Sequence, residues 1–192
     1  LKRGANSEKG KFDGTNIQAS ALNGTIDHFV LEKDTLLANV NLKAKERSGF
    51  ELKKLKAKVR INPQIMEFND LDLHAGNSHI GDYYAMHYQH FNADMADFID
   101  KIKISANFKN STVSSNDIAY FATALEDWKK EFSLSGKFRG TISDFKIVDF
   151  FARADQNTYA SGTFTMKGLP DIDITKMQLE NAVVQTNLRG IS

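Results

Sequence analysis

The sequence contains no cysteine, which removes disulfides, thiolate metal sites and cysteine nucleophiles together. Only two prolines, Pro63 and Pro170, fall in 192 residues, so little prevents strands from running long. No apolar run approaches the roughly 20 residues of a transmembrane helix. Neither charge is in excess. Twenty-five basic side chains stand against 24 acidic ones, which leaves no global field to recruit nucleic acid or an anionic surface. The glycine patterns that cradle phosphates are missing, as is the G-x-S-x-G of serine hydrolases. Neither an enzyme nor a cofactor-binding protein is expected. The chain begins at Leu1 and is read as one segment, residues 1–192, of a longer repetitive protein.

What the sequence does have is period-two alternation, the signature of strands with one dry and one wet face. Ala38, Val40, Leu42 and Ala44 alternate with Asn39, Asn41, Lys43 and Lys45. Leu55, Ala57, Val59 and Ile61 alternate with Lys54, Lys56, Lys58 and Arg60. The same rhythm runs through Ile102, Ile104, Ala106 and Phe108, then Phe132, Leu134 and Phe138, then Ala160, Gly162, Phe164 and Met166, and finally Met177, Leu179 and Val183. Turn residues ("RSG", "NP", "AGN", "RG", "DQN", "GLPD") punctuate the runs. About ten antiparallel strands are expected, near the upper end of ordinary strand length.

A helical insertion over about 92–128 interrupts this pattern. Met95, Phe98, Ile99 and Ile102 follow helical spacing in a short helix that runs into a strand. Ile118, Phe121, Ala122, Leu125 and Trp128 define a longer helix, with Ser115 or Asn116 as N-cap and Asp117 at its positive end. A weak internal echo places Ile65, Phe68, Leu71, Asn77 and Ile80 on Phe145, Val148, Phe151, Asn157 and Ala160, which hints at a sheet built by repetition.

Four of the five histidines crowd into "HAGNSHIGDYYAMHYQH". With Gly76–Asn77 as a two-residue hairpin turn, Ala75 meets Ser78, His74 meets His79, and Leu73 meets Ile80. Asp72 then lies diagonal to the two imidazoles, a set that could hold zinc or copper. His87 lies roughly 26 Å along the strand from His79, and His90 sits at its end. With at most three ligands on a wet sheet face, the reading adopted is plain solvent-facing positions and no metal. The ladder Lys54, Lys56, Lys58 and Arg60 could meet head groups or nucleic acid. Without interleaved aromatics it reads instead as a solvated face whose lysines discourage edge-to-edge aggregation. The carboxylates of "NDLDLHAGN", "GLPDIDIT" and "DMADFID" read as turn chemistry.

The apolar stripes, rich in the chain's 14 phenylalanines, must be buried somehow. A closed sandwich and a half-pipe with a greasy trough satisfy the same periodicity. An outer-membrane barrel shares the alternation, but the inserted helix and the absence of aromatic girdles count against it.

The stretches "DFIDKIKISANFKNSTVSSNDIAYFATAL" and "FSLSGKFRGTISDFKIVDFFARADQNTYASGTFTMKGLPDIDIT" resemble a middle segment of TamB-like translocation-and-assembly-module proteins of the AsmA-like group. The upstream "SGFELKKL" and "NSHIGD" are consistent with it, so the resemblance covers about residues 35 to 186. It implies a mainly β fold: a long antiparallel sheet curled into a U-shaped hydrophobic groove (a "β-taco"), with one short and one longer helix inserted. It further implies a Gram-negative periplasmic location, a parent anchored in the inner membrane, and roles in phospholipid movement and outer-membrane protein assembly. Groove-lining residues would be Val40, Leu42, Leu55, Val59, Ile104, Phe108, Phe132, Leu134, Phe138, Phe164, Met166 and Leu179, contacting phospholipid acyl chains. An outer-membrane barrel-assembly partner would dock through parts outside this chain, and nucleic acid is not expected. The family's membrane anchor and C-terminal domain are not in this sequence, and Thr123 stands where many relatives carry Pro.

Overall fold

Strands of 10 to 14 residues follow from the long alternating runs. In the computed structural model, which describes residues 19–46, 49–119, 129–171 and 173–186, they are β1 (Ala19–Glu32), β2 (Thr35–Glu46), β3 (Glu51–Asn62), β4 (Ile65–Ala75), β5 (Ser78–His87), β6 (Lys103–Ser114), β7 (Glu131–Gly140), β8 (Asp144–Asp155), β9 (Thr158–Lys167) and β10 (Lys176–Gln185). They form one ten-stranded sheet in sequence order, antiparallel throughout, with β1 and β10 at its two edges. There is no second sheet and the edges do not join, so among the described residues the fold is neither sandwich nor barrel. It is a single sheet curled about its apolar face into a groove.

Turn chemistry sets the register locally. Asn62 Oδ1 accepts the backbone N–H groups of Gln64 (2.9 Å) and Ile65 (3.0 Å), closing the Asn-Pro turn between β3 and β4. The β4–β5 hairpin has the expected register: Ala75 opposite Ser78, His74 opposite His79, Leu73 opposite Ile80. The internal echo corresponds to two hairpins of one design, since β8 and β9 pair Asp155 with Thr158 about a second two-residue turn.

Two short helices, α1 (Phe91–Ala96) and α2 (Phe98–Lys101), join β5 to β6. The single helix expected around Met95–Ile102 is split because Asp97 leaves helical geometry (φ −120°, ψ 48°). Asp94 caps α1 by accepting the N–H groups of Gln89 (2.7 Å) and His90 (3.0 Å), which holds its carboxyl below the usual range. Met95 and Phe98 still pack on the sheet's apolar face. Helix α3 (Ser115–Ala119) starts where the longer helix was expected. That helix's further positions, Phe121 to Trp128 with Thr123 among them, lie outside the described residues. Strand β6 thus runs through the middle of the 92–128 stretch read as a helical insertion.

The feature that shapes the sheet is a row of β-bulges. His28, Asp70, Asn110, Asp149 and Asn181, in β1, β4, β6, β8 and β10, all adopt left-handed backbone (φ 49° to 54°), each at a register shift. The registers align them in one line crossing the sheet. On β7 and β9 that line passes glycines. A Cβ on Gly162 of β9 would come within 2.5 Å of Glu180 O, and one on Gly136 of β7 within 3.2 Å of Phe150 Cα. Each bulge bends its strand and sharpens the local twist. Aligned, they make a crease along which the sheet folds over its greasy side. Asp, Asn and His are the side chains that best tolerate this backbone region.

Exposed Asn110 isolates the conformational term. Asn110→Val should lower stability by about 1–2 kcal/mol, whereas Asn110→Gly should stay within about 0.5 kcal/mol of the parent. Urea denaturation of the three proteins measures both.

Candidate functional site

Two adjoining clusters form the apolar face. One gathers Ala38, Val40, Ala57, Val59 and Leu71, flanked by Leu42, Leu55, Phe68, Leu73 and Ile80. The other gathers Tyr88, Ile102, Ile104, Ala106, Phe138 and Ile147, flanked by Phe108, Phe145, Phe150 and Phe164. Tyr84 packs against both and joins them. Its surroundings push the phenol well above the ordinary tyrosine range, so it stays neutral within the hydrocarbon. Ring contacts run across the second cluster: Phe138 stacks on Phe145 (4.6 Å) and Phe150 on Phe164 (5.4 Å). Such offset pairs add to their area burial.

All twelve residues expected to line the groove lie on this face. Val40, Val59, Ile104 and Phe138 are its buried floor. Leu42, Leu55, Phe108 and Phe164 pack beside them. Met166 pairs with Phe145, Leu179 with Phe164, and Leu134 with Ala152, which continues the face toward β10. Phe132 lines an open pocket of about 310 Å³ with Ala152, Ala154, Ala160 and Val184. Toward the sheet edges the same face is uncovered: Ile26 is 59% exposed, Phe29 61% and Val184 64%. Val183, assigned by alternation to the apolar face, points the other way. The Asn181 bulge adds one residue and brings Val184 inward, opposite Ala160.

The outer face is stitched by ion pairs between neighbouring strands. Lys54 reaches Asp72 (2.5 Å), Lys58 reaches Asp70 (2.8 Å) and Arg60 reaches Glu67 (2.6 Å), all from β3 to β4. Lys109–Asp82 (2.9 Å), Lys137–Asp149 (2.9 Å) and Lys167–Asp144 (3.0 Å) repeat the device on later strands. The basic ladder is therefore not an edge guard, since β3 lies between β2 and β4. Its role is cross-strand pairing, worth under about 1 kcal/mol per exposed pair.

Asp117 was read only as a helix-end charge, and the fold gives it a second task. Its Oδ2 accepts from Asn77 N (2.8 Å) and Ser78 Oγ (2.6 Å), fastening the β4–β5 hairpin tip to α3. No local sequence signal announces a contact across that separation.

No family model, curated protein or solved structure matches this chain. No helix among the described residues is long and apolar enough to cross a membrane.

Glu67 supplies a pH test of the outer face. Burial alone would raise its carboxyl, but hydrogen bonds from Arg60 and Tyr83 (2.8 Å) outweigh it and leave it lowered. A lowered carboxyl stabilises the fold above its unfolded value, about pH 4.3, and the benefit disappears as pH falls through its folded value. Glu67→Gln should cost about 1 kcal/mol at pH 7, with the gap to the parent closing below about pH 4. Thermal unfolding of both proteins across pH 3–7 reads the difference.

Proposed function

We propose that this chain is a groove segment of a TamB-like envelope protein and acts as a hydrophobic conduit for phospholipid acyl chains. In this reading the parent protein is anchored in the inner membrane of a Gram-negative cell and crosses the periplasm. The observation that carries it is that the apolar face is buried at its centre, with Met95 and Phe98 packed on it, yet uncovered at both edges, at Ile26, Phe29, Met177 and Val184. A surface of this kind holds acyl chains by burial alone, at about 0.8 kcal/mol per methylene, and neutral Tyr84 leaves no charge on that part of it to trap a head group. The conduit works by exposure and continuity, with no bond made or broken.

The core positions make poor probes of this reading, because Phe164 stacks on Phe150 and its loss would disturb the fold. Ile26→Asp and Val184→Asp alter exposed positions of the same face instead. The parent should carry phospholipid through purification, seen by native mass spectrometry and by lipid analysis of a solvent extract. The double variant, folded by circular dichroism, should carry several-fold less. A lipid-free parent would overturn the conduit reading.

A second reading is favoured by the edges themselves. Among the described residues, β1 and β10 have no strand beyond them and carry exposed apolar side chains such as Leu22, Leu31 and Val183, which suits strand addition by an outer-membrane protein client. Prolines placed along the open edges of β1 and β10 should then abolish client cross-linking and leave lipid retention intact.

A further inference from the structure

The hairpin that carries the histidines brings three ligand atoms together on the outer face, away from the groove. His74 and His79 sit directly opposite each other on β4 and β5, their rings stacked with centroids 4.4 Å apart. Both present Nε2 to the same oxygen: Asp72 Oδ1 lies 2.9 Å from His74 Nε2 and 3.1 Å from His79 Nε2. All three donor atoms fall within 4.8 Å of one another. The second carboxylate oxygen is engaged separately, by the Lys54 ammonium at 2.5 Å. That contact fixes the carboxylate so that Oδ1 alone faces the imidazoles. Metal ligands are commonly oriented in this way by a neighbour outside the coordination shell.

We propose that Asp72, His74 and His79 form a binding site for a borderline divalent cation of the zinc class, with Oδ1 as a single-oxygen ligand, two Nε2 ligands, and water completing the shell. The distances fit. A tetrahedral zinc site with bonds of 2.0–2.1 Å places its ligand atoms roughly 3.3 Å apart. The two oxygen–nitrogen separations already lie within about half an ångström of that value. Without metal, the carboxylate oxygen accepts a hydrogen bond from each Nε2–H. Binding replaces those two bonds, the ring protons moving to Nδ1, which leaves each Nε2 lone pair free to ligate. Two imidazoles and one carboxylate suit zinc, copper or nickel better than calcium or magnesium, which prefer all-oxygen shells. The three side chains are 34% to 43% exposed, so the site is open to solvent and to an exchangeable fourth ligand. Because the ligands come from both arms of the β4–β5 hairpin, an ion there would also pin the hairpin.

The test is titration of the purified chain with zinc chloride by calorimetry, with thermal unfolding followed alongside. One zinc per chain at micromolar concentration and a raised melting temperature are expected. His79→Ala and His74→Ala, both at solvent-facing positions, should each weaken binding at least tenfold and abolish the thermal shift. His87→Ala, at the far end of β5, should leave both unchanged. Copper(II) added to the parent should give an electron paramagnetic resonance spectrum with two nitrogen ligands, reduced to one in His79→Ala. No saturable binding up to millimolar zinc, or binding that survives His79→Ala undiminished, would overturn the proposal.

Discussion

Among the described residues, a single sheet with one greasy face has no second sheet to hide it, and everything else in this structure follows from how that face is covered. The answer is the line of bulges. Each of His28, Asp70, Asn110, Asp149 and Asn181 inserts one extra residue, in left-handed backbone, along a slanting line across the sheet. An isolated bulge is a local kink, but five on one line give a crease, and a creased sheet encloses its own concave side. Glycines at Gly136 and Gly162 let the bulged strands approach their neighbours where a Cβ would collide with backbone. Left-handed backbone is unfavourable for a side-chain-bearing residue, and here it is offset by burial along the whole crease.

That solution grades burial along the sheet. At the centre, Ile102 and Ala106 lose all contact with solvent. At the edges every residue of β1 remains exposed. A closed sandwich would have dried the face from end to end. The open groove keeps its apolar ends accessible, and both functional readings depend on that property, one through the face and the other through the backbone edges. The outer face carries a different chemistry, with carboxylates from β4, β5 and β8 paired to lysines and arginine across the strands. Among the described residues, the Asp72 cluster is the one place on it where two imidazoles converge with such a carboxylate.

Much of this was legible in the residues. The β4–β5 hairpin register could be read to the residue because a two-residue turn leaves only one way to pair the flanking positions. The twelve apolar positions share a face because side-chain direction alternates strictly within an unbroken strand. The bulges escaped that logic. Val183 was assigned to the wrong face for a physical reason: one inserted residue inverts the parity of everything after it. A signal was nonetheless present. "FNDL", "FKNS", "IVDF" and "LENA" each place Asp or Asn two positions after an apolar residue and directly before the next inward one. The first three recur about 40 residues apart, half the spacing of the hairpin echo.

The amino-acid sequence by itself determined the strands, their antiparallel pairing, the hairpin turns and which side chains share a face, because these depend on neighbours in the chain and on a two-residue period. Only the tertiary structure decided that the sheet curls instead of pairing with a second one, and that Asp72 turns one oxygen to both His74 and His79, whose proximity the hairpin register already implied. It also decided that Lys54, Lys58 and Arg60 of the basic strand pair with carboxylates of its neighbour. Alternation is identical whether the dry face meets another sheet or its own far half, so no local pattern can distinguish them. The choice belongs to the alignment of bulges across strands, and that alignment exists only once the strands have found their registers.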